Sequence, residues 1–220
     1  MSPVFDCTTS SGLADALPKV VDGVREGQLV VLPTDTVYGV GADAFDAAAV
    51  ARLLAAKGRG RQMPPPVLVA DARTLDGLAT EVTPVVRDLV GEFWPGALTI
   101  ICRAQPSLMW DLGETRGTVA LRMPASDVAL ALLRRTGPLA VTSANLTGQP
   151  AASTAAQARE QLGDSVAVYL DGGPAPGGVA STIVDATGPV PKVVRQGALS
   201  VDELRRVAPG LLDVQGEAGA

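Results

Sequence analysis

The chain reads as a single α/β domain: a twisted mixed sheet of parallel and antiparallel strands with flanking helices. Three observations carry this reading. A length of 220 residues with 47% hydrophobic content can build one substantial core. Short runs of Val, Leu and Ile alternate with stretches of helical periodicity from end to end. The alternation is not strict, so some consecutive strands must pair antiparallel, and the sheet is mixed. With 3% aromatics, 24 glycines and 17 prolines, the core is mostly Val, Leu and Ala, and turns are frequent. No internal repeat or linker divides the chain, which assigns residues 1–208 to the domain and 209–220 to a flexible tail.

Residues 13–25 carry Leu13, Leu17, Val20, Val21 and Val24 at helical spacing, with Gly27 placed to end the helix and Pro18 as a kink or a start. Val30, Val31 and Leu32 form a short interior strand ending at Pro33. The next stretch, PTDTVYGVG, puts Thr34, Asp35, Thr36 and Tyr38 close together, while Gly39 and Gly41 admit a close approach of backbone or ligand. It is either a small-molecule cradle or a polar turn between two strands. Asp46 is placed to cap a helix over 47–57, whose inward side is Val50, Leu53 and Leu54 and whose stop is Gly58. The loop that follows, KGRGRQMPPPVLV, presents Lys57, Arg59 and Arg61, and no acidic residue falls between Asp46 and Asp71. Glycines alternating with cations suit a phosphate group; a helix-dipole partner with solvated arginines is the competing account.

Further strands are expected over 67–70, 118–122, 138–141, 166–170, 181–184 and 192–195, and helices over 83–91, 127–135, 154–162 and 201–207. Thr83 caps the first of these helices with Pro84 at N1. Residues 93–102 read as turn and strand, with Trp94 as a packing anchor. Arg122 ends its strand as an anion ligand or a rim ion pair. The strand at 138–141 runs into TSANLTGQP, whose Thr142, Ser143 and Asn145 stand at a strand's carboxyl end, where α/β sheets gather ligands; an Asx or Ser/Thr turn explains them equally. DGGPAPGG, residues 171–178, is a lid or a plain connection.

Composition removes several function classes. Histidine is absent, which excludes Ser-His-Asp and Cys-His schemes, His-based acid catalysis and the commonest zinc sites. Cys7 and Cys102 match no metal spacing and read as reduced thiols of a cytoplasmic protein. Residues 1–11 lack the basic start and apolar core of a signal peptide, and no apolar run can span a bilayer. A net charge of -5 argues against nucleic-acid binding by bulk charge but leaves room for a local basic site.

Taken in order, PTDTVYGVG, AKGR, FWPGALT, LRMP, TSAN with a following TG, and a terminal STIVD…VVRQG resemble the Sua5/YrdC family of threonylcarbamoyl-AMP synthases, over about residues 28–197. Each motif alone is weak, and the set in this order is specific. The resemblance implies a YrdC/RibB-like fold with a concave basic face, and a nucleotidyltransferase that serves threonylcarbamoyladenosine modification of tRNA. It makes Thr34, Thr36, Tyr38, Arg122 and Ser181 candidate threonine ligands. Lys57 and Arg59 match the KxR pair, with a catalytic role, and Lys57, Arg59, Arg61, Ser143, Asn145 and Arg195 are candidate nucleotide ligands.

The implied substrates are L-threonine, bicarbonate or CO2, and ATP, with Mg²⁺ held mainly through the ATP phosphates and no metal site of the protein's own. The implied partners are a tRNA threonylcarbamoyl-transferase complex that receives the product and, by direct contact, tRNA; no membrane is involved. Two departures accompany the match. The loop after Arg59 is about two residues longer than the family's, so Arg59 and Arg61 compete with Lys57 and Arg59 for the KxR places, and Ala70 stands where the family often has a histidine. The alternatives are a noncatalytic RNA-binding module and a carbamoyl-adenylate-forming enzyme of a related branch.

Overall fold

Helix boundaries follow local capping chemistry. The computed structural model describes residues 2–218. Thr9 accepts a bond from Gly12 N and opens α1 (Ser10–Arg25), and Gly27, at φ +77°, turns the chain out of it. Pro18 lies inside α1 and does not mark its start. Asp46 Oδ1 accepts from Ala48 N and Ala49 N to begin α2 (Ala47–Ala56), and Lys57 is its C-cap. A single turn, α3 (Leu75–Leu78), precedes α4 (Pro84–Phe93). Pro84 starts α4 at N1 as expected, but the Thr83 side chain makes no capping bond. Ser126 caps α5 (Asp127–Thr136), Thr154 caps α6 (Ala155–Leu162), and a reciprocal Ser200–Glu203 pair opens α7 (Val201–Val207). No helix among the described residues is long and apolar enough to cross a membrane.

The strands are β1 (Val4–Asp6), β2 (Val30–Leu32), β3 (Gly39–Asp43), β4 (Val67–Leu68), β5 (Ala79–Thr80), β6 (Leu98–Ala104), β7 (Thr118–Arg122), β8 (Leu139–Ser143), β9 (Val168–Asp171), β10 (Thr182–Asp185) and β11 (Lys192–Arg195). Among the described residues they form one 11-stranded sheet in the order β1-β9-β2-β3-β8-β4-β7-β6-β10-β11, with β5 beside β6. Parallel pairs such as β4 with β7 and β6 with β10 sit beside antiparallel ones such as β3 with β8 and β6 with β7, the mixed sheet that the sequence predicts. The sequence reading lacks β1, β3 and β5 for physical reasons. β1 and β5 are too short to show alternation, and Gly39 and Gly41 weaken the strand signal of β3.

Alternation along the strands gives the sheet two unlike faces. On one, Val31, Val40, Ile100, Leu121 and Val184 join the main core with Leu53 of α2, Leu89 of α4, Leu162 of α6 and Leu204 of α7. On the other, Val30, Leu32, Leu139 and Leu170 pack against Leu17 and Val21 of α1 and Leu132 and Leu133 of α5. Each such buried side chain contributes about 1.5–3 kcal/mol. No residue of β6, β7, β10 or β11 joins this second core, so α1 and α5 leave that half of the face open.

Within the segment expected to be a flexible tail, residues 211–213 have fixed contacts, while 214–218 are exposed. Leu211 is fully buried, Val193 N donates to Leu212 O, and Arg205 donates to Leu211 O and Glu217 O. Two consecutive leucines anchor the segment, and Leu212 bridges the outer edge of β11 at Lys192. Residues 219 and 220, which end the expected tail, lie outside the described residues.

Candidate active site

The open half of the second sheet face floors a cavity of about 330 Å³. Register decides which side chains enter it. Thr99 pairs with Ile183 and Ile183 with Arg195, so the three share one face. Ile101 pairs with Ala120, and Leu68 with Arg122, on that same side. Val141 and Ser143 of β8 lie opposite Gly41 and Gly39. A Cβ at Gly39 would stand 2.6 Å from Val141 Cγ1, so glycine is what lets Val141 lie over β3. Loops add the walls: Thr34 and Thr36 to Tyr38, Arg59 with the Pro64, Pro65, Pro66 run, and Leu112 with Thr115.

Residues 33–38 join β2 to β3, so the hydroxyl-rich stretch is both a turn and a cavity wall. Thr34 Oγ1 donates to Val37 O at 2.6 Å and accepts from Thr36 N and Val37 N at 3.2 and 3.3 Å, which commits its hydroxyl to shaping the loop. Thr36 Oγ1 accepts from Arg122 Nη1 at 3.0 Å. Arg122 also donates from Nη2 to Asp35 Oδ1 at 2.7 Å and from Nε to Gly96 O at 2.9 Å. With side-chain exposures of 8% and 14%, Arg122 and Asp35 form a buried ion pair. Burial lowers the Arg122 pKa and the Asp35 charge opposes that shift. Tyr38 lines the cavity, but its Oη donates to Gly173 O at 2.6 Å and accepts from Gly172 N at 3.1 Å, so the hydroxyl serves the 171–173 turn.

Lys57 does not line the cavity. It is 3% exposed, and its Nζ donates to Ser143 O at 2.5 Å and to Asn145 O at 2.6 Å. Asn145 is buried as well and donates from Nδ2 to Leu146 O and Gln149 O, both at 2.8 Å. The two residues form the rear of the TSAN turn, whose front, Thr142 and Ser143, faces the cavity. Burial, with a smaller effect of the Arg59 charge, brings the Lys57 pKa from 10.5 down to about 8. The unfolded chain therefore holds this proton through a pH range in which the folded one has released it, and stability rises with pH across that range. Between pH 8 and 10 the denaturation midpoint of the native protein should rise relative to that of Lys57→Met, by roughly 1–2 kcal/mol in stability. Parallel pH curves for the two proteins would refute this.

Arg61 also points elsewhere: from the surface, its Nη2 donates to Asp111 Oδ1 and Oδ2 at 2.8 and 3.0 Å. The cations that reach the cavity are Arg59 and Arg195. Arg59 Nη1 donates to Thr142 Oγ1 at 2.9 Å, while its Nε is buried without a partner. Arg195 Nη2 donates to Ser181 O at 2.7 Å, and Ser181 Oγ lies 2.8 Å from Thr99 Oγ1. Neither Arg59 nor Arg195 has a carboxylate ion-paired to it among the described residues. Burial lowers the pKa of both, and the Arg195 charge lowers that of Arg59 further. Two guanidiniums with no ion-paired carboxylate, facing one cavity, suit a polyanion.

Thus Thr34, Thr36, Tyr38, Arg59, Arg122, Ser143, Ser181 and Arg195 gather at the cavity, and Lys57, Arg61 and Asn145 stand behind or beside it. Thr99 and the connection over 105–117 escaped sequence reasoning. Strand phase would have found Thr99, which shares its face with Ile101 and the site; the connection has no periodicity to read. Ala70 packs against the α1–α5 core and not the cavity. The 171–178 loop backs the hydroxyl loop, with Ala175 N donating to Ser153 O and Gly178 N to Thr36 O, and contributes no cavity lining. Both cysteines are buried, which chiefly pushes their thiol pKa values up to about 11.

The Sua5/YciO/YrdC family model, described as "Telomere recombination", matches residues 22–197. A Mycobacterium tuberculosis protein named "Putative threonylcarbamoyl-AMP synthase" is 52% identical over 207 residues, covering 94% of this chain and 95% of its own length. The threonylcarbamoyl-AMP synthase of Bacillus subtilis is 38% identical over 187 residues, and the match spans 84% of this chain but 54% of that longer protein. A crystal structure of P. abyssi Sua5 complexed with L-threonine superposes with a TM-score of 0.86 at 34% identity, covering 94% of this chain and 61% of that one. Fold and sequence agree across nearly the whole domain: the chain belongs to the Sua5/YciO/YrdC family.

Proposed function

We propose that the protein is a threonylcarbamoyl-AMP synthase: it joins L-threonine, bicarbonate and ATP into threonylcarbamoyl-adenylate, releasing pyrophosphate and water. The observation that carries this reading is one cavity with two chemistries, unpaired Arg59 and Arg195 at one part and the Thr36–Arg122–Asp35 network at another. Relatives named for this activity, and the threonine-bound archaeal structure, support it. The threonine amine forms a C–N bond to the bicarbonate carbon as a bicarbonate C–O bond breaks, the departing oxygen leaving as water with a proton from the amine, giving a carbamate. A carbamate oxygen then bonds to the α-phosphorus as the bond to the pyrophosphate oxygen breaks. Arg59 and Arg195 offset the charge that gathers on the phosphoryl oxygens and the departing pyrophosphate, at positions set before reaction by Thr142 and Ser181. Arg122, fixed by Asp35 and Gly96, directs N–H groups at the amino-acid end.

Mg²⁺ would enter with the nucleotide, held mainly through its phosphates. In the cell the product would pass, in the cytoplasm, to a tRNA threonylcarbamoyl-transferase complex. Incubation with ATP, labelled bicarbonate and L-threonine should release pyrophosphate only when both co-substrates are present. Release without threonine, or none at all, would sink the reading.

A further inference from the structure

The connection between β6 and β7, residues 105–117, has no regular structure, and connections of this length in compact domains usually serve function. Its middle reaches into the site: Leu112, 2% exposed, and Thr115 line the cavity, while neighbouring Met109 is 92% exposed. What holds this wall in place is the cationic loop opposite. Arg61 grips Asp111 through both carboxylate oxygens, at 2.8 and 3.0 Å. Glu114 N donates to Arg61 O at 2.8 Å. Gly113, at φ +106°, makes this approach possible, since a Cβ there would stand 2.6 Å from Arg61 O. Asp111 Oδ1 also accepts from Gly113 N at 3.0 Å, and Trp110 stacks on Phe45 with ring centroids 5.4 Å apart. At the C-terminal end of the connection Arg116 and Gly117 both have positive φ, +52° and +75°, and Thr118 donates from N and Oγ1 to Thr115 O at 3.0 and 2.8 Å, so the chain turns sharply into β7.

We propose that Arg61 is a positioning residue of the reaction: through Asp111 it latches the 108–115 wall against the loop that carries Arg59, so that phosphate site and wall close on the nucleotide together. This rests on the ATP reading of the cavity. Arg61 contacts no phosphate in this role, and Asp111 matters as much as Arg61 does.

That symmetry gives the test. Arg61→Gln and Asp111→Asn should each raise KM for ATP about two- to fivefold with kcat unchanged, as befits one exposed ion pair made through a single guanidinium nitrogen. Asparagine retains an oxygen for Gly113 N, so the second variant removes little besides the ion pair. The exchange Arg61→Asp with Asp111→Arg should bring KM back toward the native value. Without any substrate, both single variants should increase acrylamide quenching of Trp110, against Trp94, which is buried with its Nε1 bonded to Leu98 O. A rise in KM for Arg61→Gln alone, with Asp111→Asn native in KM and quenching, would make Arg61 a direct phosphate ligand and overturn the latch. Native behaviour of both variants would overturn it too. Because quenching needs no turnover, it tests the latch even where threonine-dependent pyrophosphate release fails in the native protein.

Discussion

Arg59→Met should lower kcat/KM for adenylate formation by about 10²–10³ while making the ligand-free protein more stable. The first effect follows from losing a fixed donor to charge that develops at phosphorus, the class of change with losses of about that size. The second follows from what the guanidinium does when no anion is bound. Its Nε is buried without a partner, and the Arg195 charge further disfavours its charged form. Methionine fills much of the same volume, removes the orphaned donor and relieves the repulsion, for a gain of about 1 kcal/mol. In a chain of this size that is about 2–4 °C in Tm. Thermal denaturation without ligand, beside the pyrophosphate assay, checks both halves. A variant that is inactive and less stable than the native protein would mean that Arg59 is a scaffold residue.

Asp35→Asn should destabilise the fold by about 3 kcal/mol, because it leaves Arg122 buried without its counter-charge. The asparagine side-chain oxygen can still accept from Ala125 N, as the Asp35 carboxylate does, so the loss is one of charge and not of the loop's connection to α5. The double variant Asp35→Asn with Arg122→Met should recover most of the stability, since replacing a whole buried pair by apolar or neutral groups is often close to neutral. It should not recover activity with threonine, because the donors at the amino-acid end are then gone. Equal stability for the single and double variants in urea denaturation would show that the pair is not coupled.

Much of this molecule could be read from residue order, and the limits have physical causes. Helix ends were legible because caps are local: Asp46 and Pro84 act on atoms within a few residues of themselves. The strands Val30–Leu32 and Thr118–Arg122 were legible because burial leaves a continuous or alternating apolar signal. Which of the cations enters the cavity was not legible. Lys57, Arg59 and Arg61 alternate with glycine, and only the folded loop sends the first into the rear of the TSAN turn and the third out to Asp111. The role of Thr34 was hidden for a similar reason, since a hydroxyl that shapes a turn and one that holds a ligand look alike in sequence. Asp111 could not be connected to Arg61 before folding, because no local pattern spans the distance between them.

The sheet face that is core beneath α1 and α5 and cavity floor beside them has a consequence for how the chain finds its register. A slip of one residue between β6 and β7 would rotate Arg122 into the main core, far from Asp35, and turn Leu121 toward solvent. Burying that guanidinium unpaired costs several kcal/mol, far more than an apolar residue would lose by the same error. A purely apolar β7 would tolerate such mispairing much better. The residues proposed to hold substrate thus also proofread assembly, and replacing them with hydrophobic groups should yield a chain that folds with less fidelity even where its final state is more stable.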